Sequence, residues 1–181
     1  MSSIVTRRTF ATAAAAWALG SVRPAAAAPG RYQPDTDVWT GSVLLDADGQ
    51  SFVLRDLRQP LSMLKLWAGW CPACASEMPQ LTAMASALGP GVEVVLISHP
   101  QYWAADQAMA HRRRLPFRLA TFAPSNPAPI VEQALLGPGG AYAVPKTFAF
   151  RARDCSIVLK REGSTDWTSA AALSQVKGLM A

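Results

Sequence analysis

The sequence predicts an α/β domain over residues 42–181, with helices packed on a central mixed sheet and a β-hairpin ahead of the core. Three observations carry that prediction. The apolar runs 63–67 and 92–98 read as buried parallel strands, and the helix-length segment between them makes a right-handed βαβ unit. Asp46-Ala47-Asp48-Gly49 is a turn signal between the strand-like runs 42–45 and 51–54, which makes a hairpin. The run 157–160, reached through Arg153-Asp154-Cys155-Ser156, supplies a last, antiparallel strand and so makes the sheet mixed.

The chain opens differently. Thr6-Arg7-Arg8-Thr9-Phe10, the alanine-rich run 11–20 and the small residues 25–28 read as a twin-arginine export signal over 1–28, with an ordinary N-terminal helix as the other reading. The apolar run is about half of a membrane span. Pro29 hinders cutting after Ala28, so cleavage is expected after Ala26 or Ala27, followed by a poorly ordered leader over 29–41 in which Trp39 can tuck onto the domain. Such a signal implies a bacterial periplasm, where disulfide exchange is routine.

With 181 residues, half of them hydrophobic, the remainder supports one domain with a substantial core. Three of the five net positive charges belong to Arg7, Arg8 and Arg23, and the +2 left for the rest is too mild for a nucleic-acid partner.

After the hairpin, Gln59-Pro60-Leu61-Ser62 leads into the central strand. A helix is predicted from Cys71 to Leu88, stopped by Gly89-Pro90, with a kink at Pro79. His99 then ends the strand 92–98 on the sheet edge where Cys71 lies, either satisfied by backbone or approaching the thiols. An outer helix over 102–114 places Arg112, Arg113 and Arg114 in its last turn, where the dipole favours cations. A strand over 117–122, a proline-rich loop over 124–129, a short helix over 130–136 and the flexible Gly137-Pro138-Gly139-Gly140 follow. A strand ending at Phe150 comes next, and Asp166-Trp167-Thr168 begins the terminal helix, capped by Asp166 or Thr168.

The chemistry sits in Leu64-Lys65-Leu66-Trp67-Ala68-Gly69-Trp70-Cys71-Pro72-Ala73-Cys74-Ala75-Ser76-Glu77-Met78-Pro79. Cysteines three apart at a helix start can form an unstrained disulfide, and the first receives the helix's orphan N–H groups. Those amides and the dipole lower its thiol pKa, so Cys71 attacks a disulfide while Cys74 resolves the mixed intermediate. Pro72 at the first helical position loses no hydrogen bond. A zinc site needs two more ligands, and Cys155, His99 and His111 have no paired spacing. A c-type haem site needs histidine where Ala75 stands. A purely structural bridge over so small a loop removes little unfolded-chain entropy.

The run WAGWCPAC resembles the active-site segment of the thioredoxin superfamily, and the following ASEMP is similar to periplasmic or membrane-anchored thiol:disulfide reductases of the TlpA/ResA kind, with motif near WCxPCxxExP. The similarity runs from about Ser42 to the C-terminus. The resemblance implies a three-layer α/β/α thioredoxin-like fold whose N-terminal hairpin is part of the pattern. It also makes Pro145, in Ala141-Tyr142-Ala143-Val144-Pro145-Lys146-Thr147-Phe148, a cis proline facing the thiols, with Val144 and Pro145 as the ledge on which an extended client peptide docks by strand addition. Trp70 and Pro72 would flank Cys71 on the contact surface, and Trp67 would be buried.

Two charged residues stand near the thiols. Glu77 is in register with the family's active-site glutamate, where it acts as an acid/base for the thiols; a solvated surface carboxylate is the other reading. Lys65 departs from the family, whose members carry a carboxylate or an asparagine there. Buried, its charge favours a Cys74 thiolate and a more oxidising disulfide; alternatively its stem packs and its ammonium snorkels out. Pro72 in first place of the intervening pair is shared with periplasmic oxidases of the DsbA type. Cys155 reads as an exposed, inert spare thiol or one half of an intermolecular bridge.

The expectation is therefore a monomeric periplasmic oxidoreductase that needs no metal and no organic cofactor, because the Cys71–Cys74 dithiol is itself the redox group. By resemblance its substrates are disulfides of exported proteins such as apocytochrome c or copper-site proteins, with electrons from a membrane thiol carrier. A disulfide-forming oxidase and a copper(I)-binding chaperone are the rival readings.

Overall fold

A computed structural model of the chain describes residues 41–126 and 142–181. The expected export signal, all of the expected leader before Gly41, Trp39, the helix expected over 130–136 and the glycine segment after it lie outside the described residues.

The hairpin forms as β1 (Leu44–Asp46) and β2 (Ser51–Phe52), paired antiparallel with Leu44 opposite Phe52. Its turn is closed by Asp46 Oδ1, which accepts from the Asp48 and Gln50 amides, and by Gly49 at φ 77°. The second strand is shorter than the run 51–54 suggests. Asp56 Oδ2 accepts from the Val53 amide and draws Leu54–Asp56 into a 3-10 turn, which ends the strand and buries Leu54.

Next come β3 (Leu61–Trp67), α1 (Pro72–Leu88), β4 (Val92–Ser98), α2 (Trp103–Arg112) and β5 (Arg118–Phe122), followed by β6 (Lys146–Arg151), β7 (Ser156–Glu162) and α3 (Ala170–Met180). One seven-stranded sheet runs in the order β2-β1-β5-β4-β3-β6-β7. Strands β3, β4 and β5 are parallel neighbours, while β1 joins β5 and β6 joins β3 antiparallel, so the sheet is mixed. The chain thus docks its hairpin on β5, a pairing across some seventy residues that no local pattern encodes.

Every residue of β3 is buried, as expected for a strand covered on both faces. Leu61, Met63 and Trp67 face Met78, Leu81 and Met84 of α1 and Val176 of α3. Leu64 and Leu66 alternate to the other side, against Val95, Ile97, Phe122, Phe148 and Phe150. Among the described residues, all three α-helices contribute to the first cluster.

Gly89, at φ 73°, ends α1 as its Gly-Pro signal predicts, and Pro79 lies inside the helix without stopping it. Two helices begin later than the sequence reading has them. Pro100–Tyr102 forms a 3-10 turn, so α2 starts at Trp103 and ends at Arg112, with Arg113 as its cap and Arg114 left-handed at φ 51°. The terminal helix is capped by Ser169, whose hydroxyl accepts from the Ala172 amide. Asp166 instead accepts from the Thr168 amide and hydroxyl, which closes a turn ahead of the helix rather than capping it.

Candidate active site

The strand β3 delivers the chain to the carboxyl edge of the sheet, and the loop 68–70 turns it into α1. Cys71 is the N-cap, in extended conformation, and its Sγ accepts from the Cys74 amide at 3.0 Å; Pro72 follows at the first helical position. The two sulfurs are bonded, with Cα atoms 5.2 Å apart, inside the ordinary disulfide range. Cys71 keeps 5 % exposure and Cys74 none. The outer sulfur is therefore the one a second polypeptide can reach, and it sits where helix amides stabilise a thiolate.

Behind the pair, Lys65 and Glu77 meet. Lys65 Nζ lies 2.5 Å from Glu77 Oε2 and donates to Thr147 Oγ1 at 3.1 Å; the two residues are 0 % and 1 % exposed. Both solvent-facing alternatives therefore fail: the ammonium does not snorkel and the carboxylate is not a surface group. Glu77 Oε1 accepts from the Thr165 amide at 2.9 Å and from Trp167 Nε1 at 3.0 Å, so both of its oxygens are engaged. Burial pushes the Lys65 pKa down, and the hydrogen bond and charge of Glu77 act against that fall. The sequence reading treated these residues separately. Their pairing needs the βαβ crossover to lay α1 over β3, which sequence spacing alone does not report.

The Val144–Pro145 peptide is cis. Pro145 is buried and Val144 half-buried at the start of β6, and the Pro145 carbonyl accepts from the Gly163 amide at 2.9 Å. Tyr142, two residues before Val144, donates through its hydroxyl to the Trp67 carbonyl at 3.1 Å, tying this segment to the end of β3. Trp70 stands out at 56 % exposure and Pro72 is exposed beside it, whereas Trp67 is buried. His99 Nδ1 accepts from the Gln101 amide at 3.0 Å, which satisfies one ring nitrogen from backbone, and burial lowers its pKa. Cys155 is a free, exposed thiol at the β6–β7 turn.

One group escaped the sequence reading. Asp106 of α2 is 1 % exposed and its Oδ1 accepts from the Gly69 amide at 2.6 Å, holding the loop that carries Trp70 and Cys71. A Cβ on Gly69 would lie 3.0 Å from that oxygen and 3.3 Å from Met109 Cβ, so any larger residue would crowd this hydrogen bond. Its other oxygen and the Ser98 hydroxyl are buried without a hydrogen-bond partner, although the hydroxyl lies near enough to favour the ionised acid. Burial outweighs both neighbours and raises the Asp106 pKa. Only an acid on the apolar face of a helix hinted at this in sequence.

The AhpC/TSA family matches residues 33–121. The thiol:disulfide interchange protein DsbE of Allochromatium vinosum is 30 % identical over 137 residues, covering 69 % of this chain and 70 % of that protein. Among solved structures, the thioredoxin domain of a Bacteroides vulgatus thiol-disulfide oxidoreductase superposes with a TM-score of 0.59 at 16 % identity, over 78 % of this chain and 98 % of that one. A secreted Mycobacterium tuberculosis disulfide oxidoreductase, homologous to E. coli DsbE, gives 0.54 at 22 % identity over 80 % and 97 %. These likenesses establish the thioredoxin-like fold, and the Allochromatium relative carries the assignment further. The chain belongs to the redoxin family, as a DsbE-like thiol:disulfide oxidoreductase.

Proposed function

We propose that the chain reduces disulfides of selected exported proteins in the bacterial periplasm, with Cys71 as nucleophile and Cys74 as resolving thiol. The observation that carries the reading is the placement of Cys71 Sγ at the mouth of α1, more exposed than its partner and bonded by a helix amide. The Cys71 thiolate attacks one sulfur of a client disulfide, forms a mixed disulfide and releases the other client sulfur as a thiol after protonation. Cys74 then gives up its proton and attacks Cys71, which frees the second client thiol and leaves the Cys71–Cys74 disulfide. Two electrons have passed to the client. A membrane dithiol carrier returns them, so the dithiol itself is the redox group and no organic cofactor is needed.

Val144 and Pro145 form the ledge for an extended client, with Trp70 and Pro72 on its other side. Disulfides of apocytochrome c or copper-site proteins fit such a ledge, since main-chain pairing imposes little sequence preference. Lys65 and Glu77 act on the thiols as a pair. The ammonium offsets the carboxylate, which alone would raise the thiol pKa values, and so keeps thiolate available.

The buried Lys65 also favours a second reading, a disulfide-forming oxidase, because a cation near Cys74 stabilises the reduced pair, and Pro72 in first place is shared with oxidases of the DsbA type. Equilibration with glutathione separates the two. A potential near about −270 mV supports a reductase and one near about −120 mV an oxidase. Cys71→Ser is expected to abolish insulin reduction, and retained turnover would remove Cys71 from the reaction. Tight copper(I) binding without turnover would make the chain a chaperone instead.

A further inference from the structure

Four aromatic rings gather beside the thiols, drawn from three separate segments. Trp70 meets Tyr102 at 5.9 Å and Tyr142 at 6.2 Å between ring centroids, both edge to face. His99 lies 5.8 Å from Tyr102 and 5.3 Å from Tyr142, and the two tyrosines are 5.9 Å apart. His99, Tyr102 and Tyr142 are half-buried, and Trp70 is the exposed large hydrophobic residue among the described ones. A soluble domain gains nothing in stability from leaving an indole in water, and an apolar surface of this kind marks an interaction site.

We propose that Trp70, His99, Tyr102 and Tyr142 form a docking surface for an aromatic side chain flanking the reactive cysteine of an extended client polypeptide. The inference rests on the redox reading above and names the client feature which that reading leaves open. The surface is continuous with both halves of the redox site: Trp70 immediately precedes Cys71, and Tyr142 lies two residues before Val144. A client cysteine held at Cys71 therefore brings its neighbouring residue onto the rings.

Charge decides what that neighbour is. Gln101 N–H donates to His99 Nδ1, so protonating that nitrogen would break the bond, and burial likewise disfavours the cation. The surface is neutral at neutral pH. The nearby carboxyl of Asp106 is buried and turned to Gly69, leaving no anion on the surface among the described residues to recognise a lysine or arginine. A cation at exposed rings gains a weak attraction and loses hydration, whereas an aromatic occupant gains buried area and ring-edge contact together.

The test uses the full chain and four disulfide-linked peptides that differ only in the residue beside the cysteine: Phe, Ser, Lys or Glu. With 2-hydroxyethyl disulfide as a featureless substrate, kcat/KM for the Phe peptide is expected to exceed that for the Ser peptide about tenfold, equivalent to about 1.4 kcal/mol. The Phe:Ser ratio should fall toward one in Tyr102→Ala and in His99→Ala, and because it is taken within each variant it is insensitive to a change in overall activity. A ratio near one in the unaltered chain, a preference for Lys or Glu, or a ratio that survives both substitutions overturns the docking surface. Failure to reduce 2-hydroxyethyl disulfide as well overturns the redox reading beneath it.

Discussion

Lys65 and Glu77 set the energetics of the site through burial. An ammonium and a carboxylate taken fully out of water cost several kcal/mol each, which their contact and the Thr147, Thr165 and Trp167 hydrogen bonds offset. Removing one charge leaves the other uncompensated. Lys65→Met and Glu77→Gln are each expected to cost about 3 kcal/mol or more in urea unfolding, and the double variant clearly less than the sum. Additive losses would show that the two side chains do not interact. Both residues were legible in sequence as candidates, from their offsets to the cysteines. That they form one ion pair was not, because twelve residues and a crossover separate them. Asp106's hold on Gly69 and the meeting of His99, Tyr102 and Tyr142 with Trp70 were hidden for the same reason: each contact joins segments that only the finished sheet brings together.

The elements follow the sequence most closely where burial is two-sided. Strand β4 has the bounds read from its apolar run, and α1 ends at its Gly-Pro signal, since local chemistry and tertiary packing agree there. They diverge at termini, where several polar residues compete. Asp166, Thr168 and Ser169 can each cap a helix. The Asp166 side chain is spent on the Thr168 amide and hydroxyl, while Gln80 Oε1 accepts the Trp167 amide, so the helix is capped later, by Ser169. Ser169→Ala is accordingly expected to cost about 1 kcal/mol in thermal or urea unfolding, and Thr168→Ala a few tenths at most. Equal losses from the two would contradict the Ser169 cap.

At the scale of the molecule, both outer strands of the sheet are poor templates for edge pairing. Strand β2 is only two residues long, and β7 carries Lys160, Arg161 and Glu162, both of which discourage edge-to-edge pairing with another copy. The twin-arginine signal expected over residues 1–28 lies outside the described residues, and its test belongs to the whole chain in a cell. Replacing Arg7 and Arg8 together by lysine is expected to leave the protein in the cytoplasm, visible by fractionation; unaltered export would remove the twin-arginine reading.

The segment between β7 and α3 touches the redox site twice, through Gly163 on the Pro145 carbonyl and through Thr165 and Trp167 on Glu77. The last eighteen residues are thus a strap around the reaction centre rather than an appendage. A protease that nicked the polypeptide just beyond Gly163 would spare all three cysteines, yet it would strip two of the three donors from a carboxylate sealed away from water.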